Sequence, residues 1–163
     1  MNNGLSFRNA EKNDISLILH FIKELASYEK MLDDVIATED ILNHWIFEEK
    51  KAEVFFVLEN NKEIGFALFF HNFSTFVGRA GLYVEDVYIM PEYRKKGYGK
   101  AVFKKLAQIA VERGCGRMEW SWRNWKKERK SLTKENASLT ARRENLIRWT
   151  RKLSELKKIF IRI

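Results

Sequence analysis

Four basic residues and two glycines lie within one short segment, Arg94-Lys95-Lys96-Gly97-Tyr98-Gly99-Lys100. Glycine lets the backbone approach a ligand closely, and the first N–H groups of a helix have no partner within it. A strand-like apolar run at residues 82–90 precedes this segment, and an amphipathic helical pattern follows it. Phosphate is favoured at such a helix start, because the N–H groups and the helix dipole attract an anion. The spacing therefore predicts a strand–turn–helix unit that binds a phosphorylated ligand.

The glycine spacing separates this turn from two common phosphate motifs. The dinucleotide-binding fingerprint needs three glycines as G-x-G-x-x-G, and the Walker loop needs G-x-x-x-x-G-K-[ST]; neither is present. The pattern Arg94-x-x-Gly97-x-Gly99 resembles the R/Q-x-x-G-x-G/A pyrophosphate loop of the GNAT acyl-CoA N-acetyltransferases. By itself this short motif also fits a basic turn before a surface helix.

Composition indicates one globular domain. The chain has 163 residues, of which 45% are apolar, enough to build a sizeable core. No apolar run approaches the roughly 20 residues of a membrane span, and the N-terminus shows no secretory pattern. Cys115 is the only cysteine, which excludes an internal disulfide. We expect a cytoplasmic protein without a membrane partner.

The charge of the chain is unevenly distributed. Residues 123–163 carry fourteen basic and four acidic side chains, a net charge of +10. Residues 1–122 carry sixteen basic and eighteen acidic side chains, a net charge of −2. A basic protein invites a nucleic-acid hypothesis, but only the tail is basic here. We therefore do not expect a nucleic-acid partner, and residues 1–122 have the charge of an ordinary enzyme domain.

Hydrophobic periodicity and turn residues divide residues 5–122 into strands and helices. The predicted strands are residues 5–8, 53–58, 64–71, 82–90 and 117–122, and the predicted helices begin near Asp14, Thr38 and Tyr98. Residues 59–62 have turn chemistry, and residues 72–81 are predicted to form a loop. The order β-α-α-β-β-β-α-β predicts an α/β fold with a mixed sheet flanked by helices.

Two further segments carry a closer resemblance. The run H-N-F-S-T-F-V-G-R-A-G-L-Y-V-E-D at residues 71–86 and the run I-K-E-L-A-S-Y-E at residues 22–29 resemble the bacterial diamine (spermidine/spermine-type) N-acetyltransferases. The resemblance covers about residues 5–122 and implies a GNAT acetyl-CoA-binding core at residues 1–122. It implies acetyl-CoA as co-substrate and direct acetyl transfer to a small di- or polyamine in a ternary complex. A thialysine-like amino acid, an aminoglycoside or a protein lysine is an alternative acceptor within the family.

The resemblance also assigns roles to individual residues. Glu85 would take the proton of the amine through water and, with Tyr28 and Glu29, would contact the substrate. Backbone groups of Val87, Tyr88 and Ile89 would pair with the pantetheine arm of the cofactor. In the glycine turn, residues 94–100, the N–H groups of residues 95–100 suit the pyrophosphate, and Arg94 can add a charge-assisted hydrogen bond. The cofactor residues of this turn are Arg94, Lys95, Lys96, Gly97, Tyr98, Gly99 and Lys100.

Residues 123–163 depart from the family. The expected segment W-N-x-P-S-x-x-F-Y-x-x-x-G-A, whose tyrosine is the proposed general acid, is absent, and no tyrosine follows Tyr98. A heptad spacing instead predicts a basic helical segment that packs on its own domain or in a homodimer; its members are Trp125, Leu132, Leu139, Leu146, Leu153 and Phe160. A tail read out of frame is a second explanation. A CoA-binding or dimerisation protein with weak or no catalysis is the alternative function.

The remaining reactive side chains show no catalytic pattern. His20 and His71 lack metal-ligand spacing, so we expect no metal site. Cys115 lies between two glycines with no histidine partner evident in the sequence, so we expect no nucleophilic role for its thiol.

Overall fold

The computed structural model of the protein describes residues 4–123 and 136–151. Six strands and four α-helices follow one another along these residues, with short 3-10 turns between some of them. They are β1 (Leu5–Asn9), α1 (Ile15–Tyr28), α2 (Glu39–Leu42), β2 (Glu53–Glu59), β3 (Lys62–Ser74), β4 (Arg79–Ile89), α3 (Tyr98–Glu112), β5 (Arg117–Arg123), β6 (Asn136–Arg142) and α4 (Arg143–Arg151).

The strands form one sheet in the order β1-β2-β3-β4-β5-β6. β1 with β2, β2 with β3, and β5 with β6 pair antiparallel, whereas β4 and β5 are parallel. The predicted α/β fold with a mixed sheet and flanking helices is therefore confirmed. Parallel neighbours need a crossover connection, and α3 supplies it between β4 and β5.

Two hairpins show how local sequence sets the strand ends. Asn60 and Asn61 both have positive φ, 52° and 65°, and form the tight turn predicted between β2 and β3. The predicted loop at residues 72–81 is wrong at both ends, because β3 continues to Ser74 and β4 begins at Arg79. Gly78 adopts φ +64° and its N–H donates to the Ser74 carbonyl at 2.8 Å, so this connection is also short.

The chain divides into two compact units. The first takes its described residues from Met1–Phe70 and Asp86–Val102, and the second from His71–Glu85 and Phe103–Phe160. In the first unit, aromatic rings dominate a buried cluster in which Phe21 stacks on Phe66 at 5.8 Å between ring centroids. In the second unit, Phe103 packs edge-on against Trp120 at 5.2 Å. Each unit thus has buried apolar packing of its own.

The C-terminal tail contains a strand, which corrects one prediction. A continuous helix through the tail is wrong for Asn136–Arg142, which pairs antiparallel with β5 from Arg117↔Arg142 to Arg123↔Asn136. The sequence N-A-S-L-T-A-R alternates polar and apolar residues with the period of a strand, and it pairs with a neighbouring strand. Arg143–Arg151 is helical. Of the heptad, Trp125, Leu132, Leu153 and Phe160 lie outside the described residues.

Leu146 shows where one heptad position packs. It lies in α4 and its side chain is fully buried within the chain. The Arg143 N–H donates to the Gly116 carbonyl at 3.1 Å, and the Arg143 guanidinium donates to the Cys115 carbonyl at 3.1 Å. The start of α4 is thus attached to the segment before β5, and packing on its own domain accounts for Leu146.

Candidate active site

The glycine turn has the backbone geometry of an anion cradle. It follows the 3-10 turn Pro91–Tyr93, and it contains two residues with positive φ, Lys95 at +64° and Gly97 at +84°. α3 then begins at Tyr98, and its first backbone bond joins the Ala101 N–H to the Gly97 carbonyl at 3.3 Å. The N–H groups at the start of α3 therefore have no acceptor within the helix and are available to an anion.

Gly97 leaves space above this turn. Apart from its two chain neighbours, a Cβ atom built at Gly97 would meet no residue within 4 Å, so internal packing does not require glycine there. Its positive φ does favour glycine, since other residues adopt this conformation at a cost. An open face over several unpaired N–H groups fits a pyrophosphate, and the residues present are therefore compatible with the phosphate part of a CoA thioester.

Arg94 joins two parts of the predicted site. Its Nε donates to the Ile89 carbonyl at 2.8 Å, and its guanidinium lies 4.2 Å from the ring centroid of Tyr28 and 5.5 Å from that of Tyr88. Arginine stacks favourably on aromatic faces in this way. The structure thus brings Arg94, predicted for the cofactor, against Tyr28, predicted for the substrate, a contact that no local spacing indicates.

At the end of β4, the backbone groups of alternate residues point in opposite directions, toward β3 or away from it. The Tyr88 carbonyl faces β3, where a Cβ added at Gly65 would collide with it, and the Met90 N–H donates to the Ile64 carbonyl at 2.9 Å. Backbone groups alternate in direction along a strand, so those of Val87 and Ile89 point away from β3. Among the three residues predicted for the pantetheine arm, this direction favours Val87 and Ile89.

Tyr88 itself has a structural environment. Its side chain is buried in the aromatic cluster of the first unit, and its hydroxyl donates to Glu24 Oε2 at 3.4 Å. Burial, followed by the nearby Glu24 carboxylate, raises the pKa of the Tyr88 hydroxyl. Both effects favour the neutral hydroxyl, as expected for a tyrosine that packs in the core of the first unit.

Glu59 is a residue of this region that the sequence did not single out. Its carboxylate accepts the Tyr98 hydroxyl and pairs with Lys96 Nζ at 2.9 Å. The Tyr98 bond, followed by that of Lys96, lowers the pKa of Glu59, and the same contact raises the pKa of Tyr98. The chain separation of nearly forty residues explains why no spacing rule indicates this contact.

The other predicted residues lie at the surface or near it. Glu85 is exposed on β4, two positions before Val87, and Lys95 and Lys100 are exposed as well. Tyr28 is 52% exposed at the last turn of α1, and Glu29 follows it as the half-buried cap residue. Glu85 and the two acceptor-side residues are accessible enough to contact a ligand.

The remaining reactive groups have ordinary structural surroundings. Cys115 is buried, and burial raises the pKa of its thiol, which disfavours the nucleophilic thiolate. No group of three or more potential metal ligands occurs within the part of the chain that the structure describes. Within residues 4–123 and 136–151, no helix has the length and hydropathy of a membrane span.

Sequence comparison decides the family. Residues 19–129 match the Acetyltransferase (GNAT) family. The chain belongs to the GNAT acetyltransferases. Thialysine N-epsilon-acetyltransferase of Bos taurus is 34% identical over 136 residues, which cover 78% of this chain and 79% of that protein. The Caenorhabditis elegans protein of the same name is 36% identical over 110 residues, or 68% of each chain.

Another relative and two solved structures show the breadth of this GNAT match. The human spermidine/spermine N(1)-acetyltransferase-like protein 1 is 32% identical over 121 residues, 69% of this chain and 17% of that protein. A metagenomic aminoglycoside acetyltransferase in complex with sisomicin has a TM-score of 0.67 at 17% identity, covering 83% of this chain and 93% of its own. The protein yncA of Salmonella typhimurium, solved with acetyl-CoA, has a TM-score of 0.59 at 22% identity, covering 74% and 71%. The structural likeness confirms the GNAT fold.

Proposed function

We propose that this acetyltransferase uses acetyl-CoA to acetylate a primary amine of a small di- or polyamine. The observation that carries the proposal is the glycine turn before α3, with its positive φ values and the open face over Gly97. Bound acetyl-CoA supplies the thioester that the amine attacks. The chain supplies the binding groups, the orientation and the proton acceptor.

Two sets of backbone groups hold the cofactor in this proposal. The N–H groups of residues 95–100 bind the pyrophosphate, and those of Val87 and Ile89 pair with the extended pantetheine arm as an added strand would. The Ile89 carbonyl already accepts from Arg94, so its N–H is the group left for this pairing. One of these N–H groups would face the thioester oxygen and stabilise its developing charge.

Glu85 receives the proton of the attacking amine through water. Amines arrive protonated at neutral pH, and a carboxylate connected to the reacting nitrogen by water can accept the proton that the amine must lose before it attacks. Cys115 is buried and its pKa is raised, so a covalent acyl-cysteine is disfavoured. We therefore propose direct attack in a ternary complex of enzyme, acetyl-CoA and amine.

The surface after α1 suits a cationic acceptor. Residues 29–49 carry seven acidic side chains and one lysine. Tyr28 and Trp45 expose half of their surface in the same part of the chain, and aromatic faces attract ammonium groups. Glu29 would bind the distal amine of the acceptor. Thialysine and spermidine or spermine, the amines for which the relatives are named, share a primary amine on an aliphatic chain.

A steady-state assay with a panel of amines tests the proposal. Spermidine, a short diamine, thialysine, lysine and an aminoglycoside would be compared by release of free CoA thiol and by mass of the acetylated product. We expect the highest kcat/KM for a di- or polyamine, because the acidic surface can bind its second cation. If only thialysine were acetylated, the acceptor would be thialysine rather than a di- or polyamine. If none of the amines were acetylated, the proposed acetyltransferase activity would be rejected.

The second candidate is a CoA-binding protein with weak or no turnover. No tyrosine follows Tyr98 in the sequence, and Tyr98 donates its hydroxyl to Glu59 and has a raised pKa. Tyr98 is therefore poorly suited to protonate the leaving thiolate. Binding of acetyl-CoA by calorimetry, without CoA release in the amine panel, would support this candidate.

A further inference from the structure

Glu59 contacts the two residues on either side of Gly97. Lys96 precedes Gly97 and places Nζ 2.9 Å from Glu59 Oε1, and Tyr98 follows Gly97 and donates its hydroxyl to the same oxygen. The Glu59 side chain is 15% exposed. A single carboxylate at the end of β2 thus restrains the glycine turn both before and after Gly97.

The turn requires such a restraint because its backbone is unusual. Lys95 is a non-glycine residue at φ +64°, and Gly97 lies two positions later at φ +84°. A non-glycine residue in this region is disfavoured by steric repulsion and persists only where the surrounding structure holds it. Lys96 lies between the two, so its ion pair acts on the segment where the conformation is least favoured.

The two anchor points of the contact are themselves well fixed. Glu59 pairs with Leu5 of β1 and with Lys62 of β3, so its backbone lies between two neighbouring strands. Tyr98 is the first residue of α3 and is only 5% exposed. The carboxylate therefore connects a fixed strand end to the start of the helix whose N–H groups face the turn.

We propose that Glu59 is a positioning residue for the phosphate-binding turn, which it holds in the anion-binding conformation through Lys96 and Tyr98. This role rests on the proposed function, since it assumes that the turn binds the pyrophosphate of acetyl-CoA. Glu59 contacts neither the cofactor nor the amine in this proposal.

Electrostatics alone makes the opposite prediction for this residue. A carboxylate near an anion site repels the anion, and removing it would also free the charge of Lys96 for the phosphate. Neutralising Glu59 would then strengthen acetyl-CoA binding. Positioning predicts weaker binding, because the turn loses its preorganised geometry. The sign of the change in Kd therefore distinguishes the two effects.

The test compares Glu59→Ala and Glu59→Gln with Glu63→Gln. Glu63 lies on β3 and pairs with Arg8 at 2.9 Å, so this control removes a carboxylate of the same hairpin without touching the turn. We expect Kd and KM for acetyl-CoA to rise about tenfold in Glu59→Ala and about threefold in Glu59→Gln, which keeps an acceptor for Tyr98. Glu63→Gln should leave both constants within about twofold of the parent chain.

A cofactor without phosphate separates the positioning role of Glu59 from a general loss of stability, because only a general loss would lower activity with such a cofactor. S-acetylpantetheine carries the thioester but no pyrophosphate. We expect its kcat/KM to be equal in the parent chain and in Glu59→Ala, and kcat with saturating acetyl-CoA to change less than about twofold. Tyr98→Phe removes one of the two contacts of Glu59, so it should weaken acetyl-CoA binding, but less than Glu59→Ala does. This variant replaces Glu59→Ala in the test if Glu59→Ala does not fold.

Three outcomes would overturn the role of Glu59. Equal or tighter acetyl-CoA binding in Glu59→Ala, or in Tyr98→Phe if only that variant folds, would show that the turn does not need this contact. An equal loss with S-acetylpantetheine would show a general structural effect. If the parent chain itself binds no acetyl-CoA, the proposed function fails first, and the role of Glu59 fails with it.

Discussion

Glu85 is the side chain on which the proposed chemistry most depends. It is exposed on β4, two residues before the predicted pantetheine contact Val87. Glu85→Gln should lower kcat/KM at neutral pH by about 10²-fold, because the amine must lose its proton without a carboxylate. The loss should shrink as pH rises and free amine becomes abundant. A pH series of initial rates from pH 7 to 10 measures it.

Glu92→Gln is a matched control for this variant. Glu92 is exposed in the 3-10 turn after β4, so its removal changes the local charge by the same amount. It should leave kcat/KM within about threefold of the parent chain, as is usual for surface charges. Glu85→Gln should also bind acetyl-CoA normally. Full activity of Glu85→Gln at pH 7 would exclude the proton-acceptor role.

Asp14 gives the first unit a pH-dependent stability. Its carboxylate pairs with the Arg8 guanidinium at 2.7 Å, and this bond lowers the pKa of Asp14. Because the folded pKa lies below the unfolded value of about 3.9, the pair stabilises fully above that value and loses its effect as pH falls through the folded pKa. We expect Asp14→Asn to cost roughly 1 kcal/mol at pH 7 and progressively less below about pH 4.

Urea unfolding of the parent chain and Asp14→Asn between pH 2.5 and 7 measures this difference. Repeating the series with Arg8→Ala removes the partner of Asp14. The cost of Asp14→Asn should then depend less on pH, because the largest cause of the pKa shift is gone and only the hydrogen bond from the Glu11 N–H still lowers the pKa. A difference between parent and Asp14→Asn that stays constant down to pH 2.5 would contradict the assignment.

The roles of some residues can be predicted from the neighbouring sequence, and the roles of others cannot. The spacing of Gly97 and Gly99 before a helical pattern was sufficient to predict the turn, because a turn and a helix start are local structures. Glu59 and the stacking of Arg94 on Tyr28 were not predictable. Both depend on contacts between residues far apart in the chain, which only the packed sheet and helices define.

At the level of elements, the glycine turn can be tested against a second glycine of similar conformation. Gly78 has φ +64° and, like Gly97, has no residue other than its two chain neighbours within 4 Å of an added Cβ. Asp in place of either glycine adds the same side chain and similar backbone strain. We expect acetyl-CoA to raise the Tm of the parent chain and of Gly78→Asp, because it binds the native state.

Gly97→Asp should lose this ligand-dependent rise in Tm. Its carboxylate would occupy the open face of the turn and repel the phosphates of the cofactor. Thermal unfolding with and without acetyl-CoA, at equal protein concentration, measures the effect. The same rise in Tm for Gly97→Asp and for the parent chain would remove the phosphate-binding assignment from this turn.

Strand β6 shows why one element was missed. Residues at a heptad spacing and residues alternating with period two can coincide over a short segment, and Leu139 belongs to both patterns. The longer heptad favoured a helix, whereas pairing with β5 selects the strand for Asn136–Arg142. Tertiary pairing therefore decided an element that the sequence alone left ambiguous.

For the whole molecule, the order of elements up to β5 was predictable because each has its own periodicity and its own turn or cap. The prediction of a homodimer has a weaker basis, since it rests only on the heptad spacing of apolar residues in the tail. Leu146 is fully buried within a single chain, so it does not supply an exposed stripe for a partner. The homodimer stays a prediction, and the packing of Leu146 offers a test at this scale.

Leu146→Ala should lower the free energy of unfolding by about 2–5 kcal/mol, the usual cost of removing a large buried side chain. If Leu146 packs within its own chain, this loss should be independent of protein concentration, because no association is coupled to it. Asn145→Ala, exposed on the same helix, is the control and should change stability by less than about 0.5 kcal/mol. Urea unfolding at 1 and 50 μM, combined with sedimentation analysis, measures both. A loss that grows at the higher concentration, where association would stabilise the parent chain more than the variant, would place Leu146 at an interface between two copies of the chain.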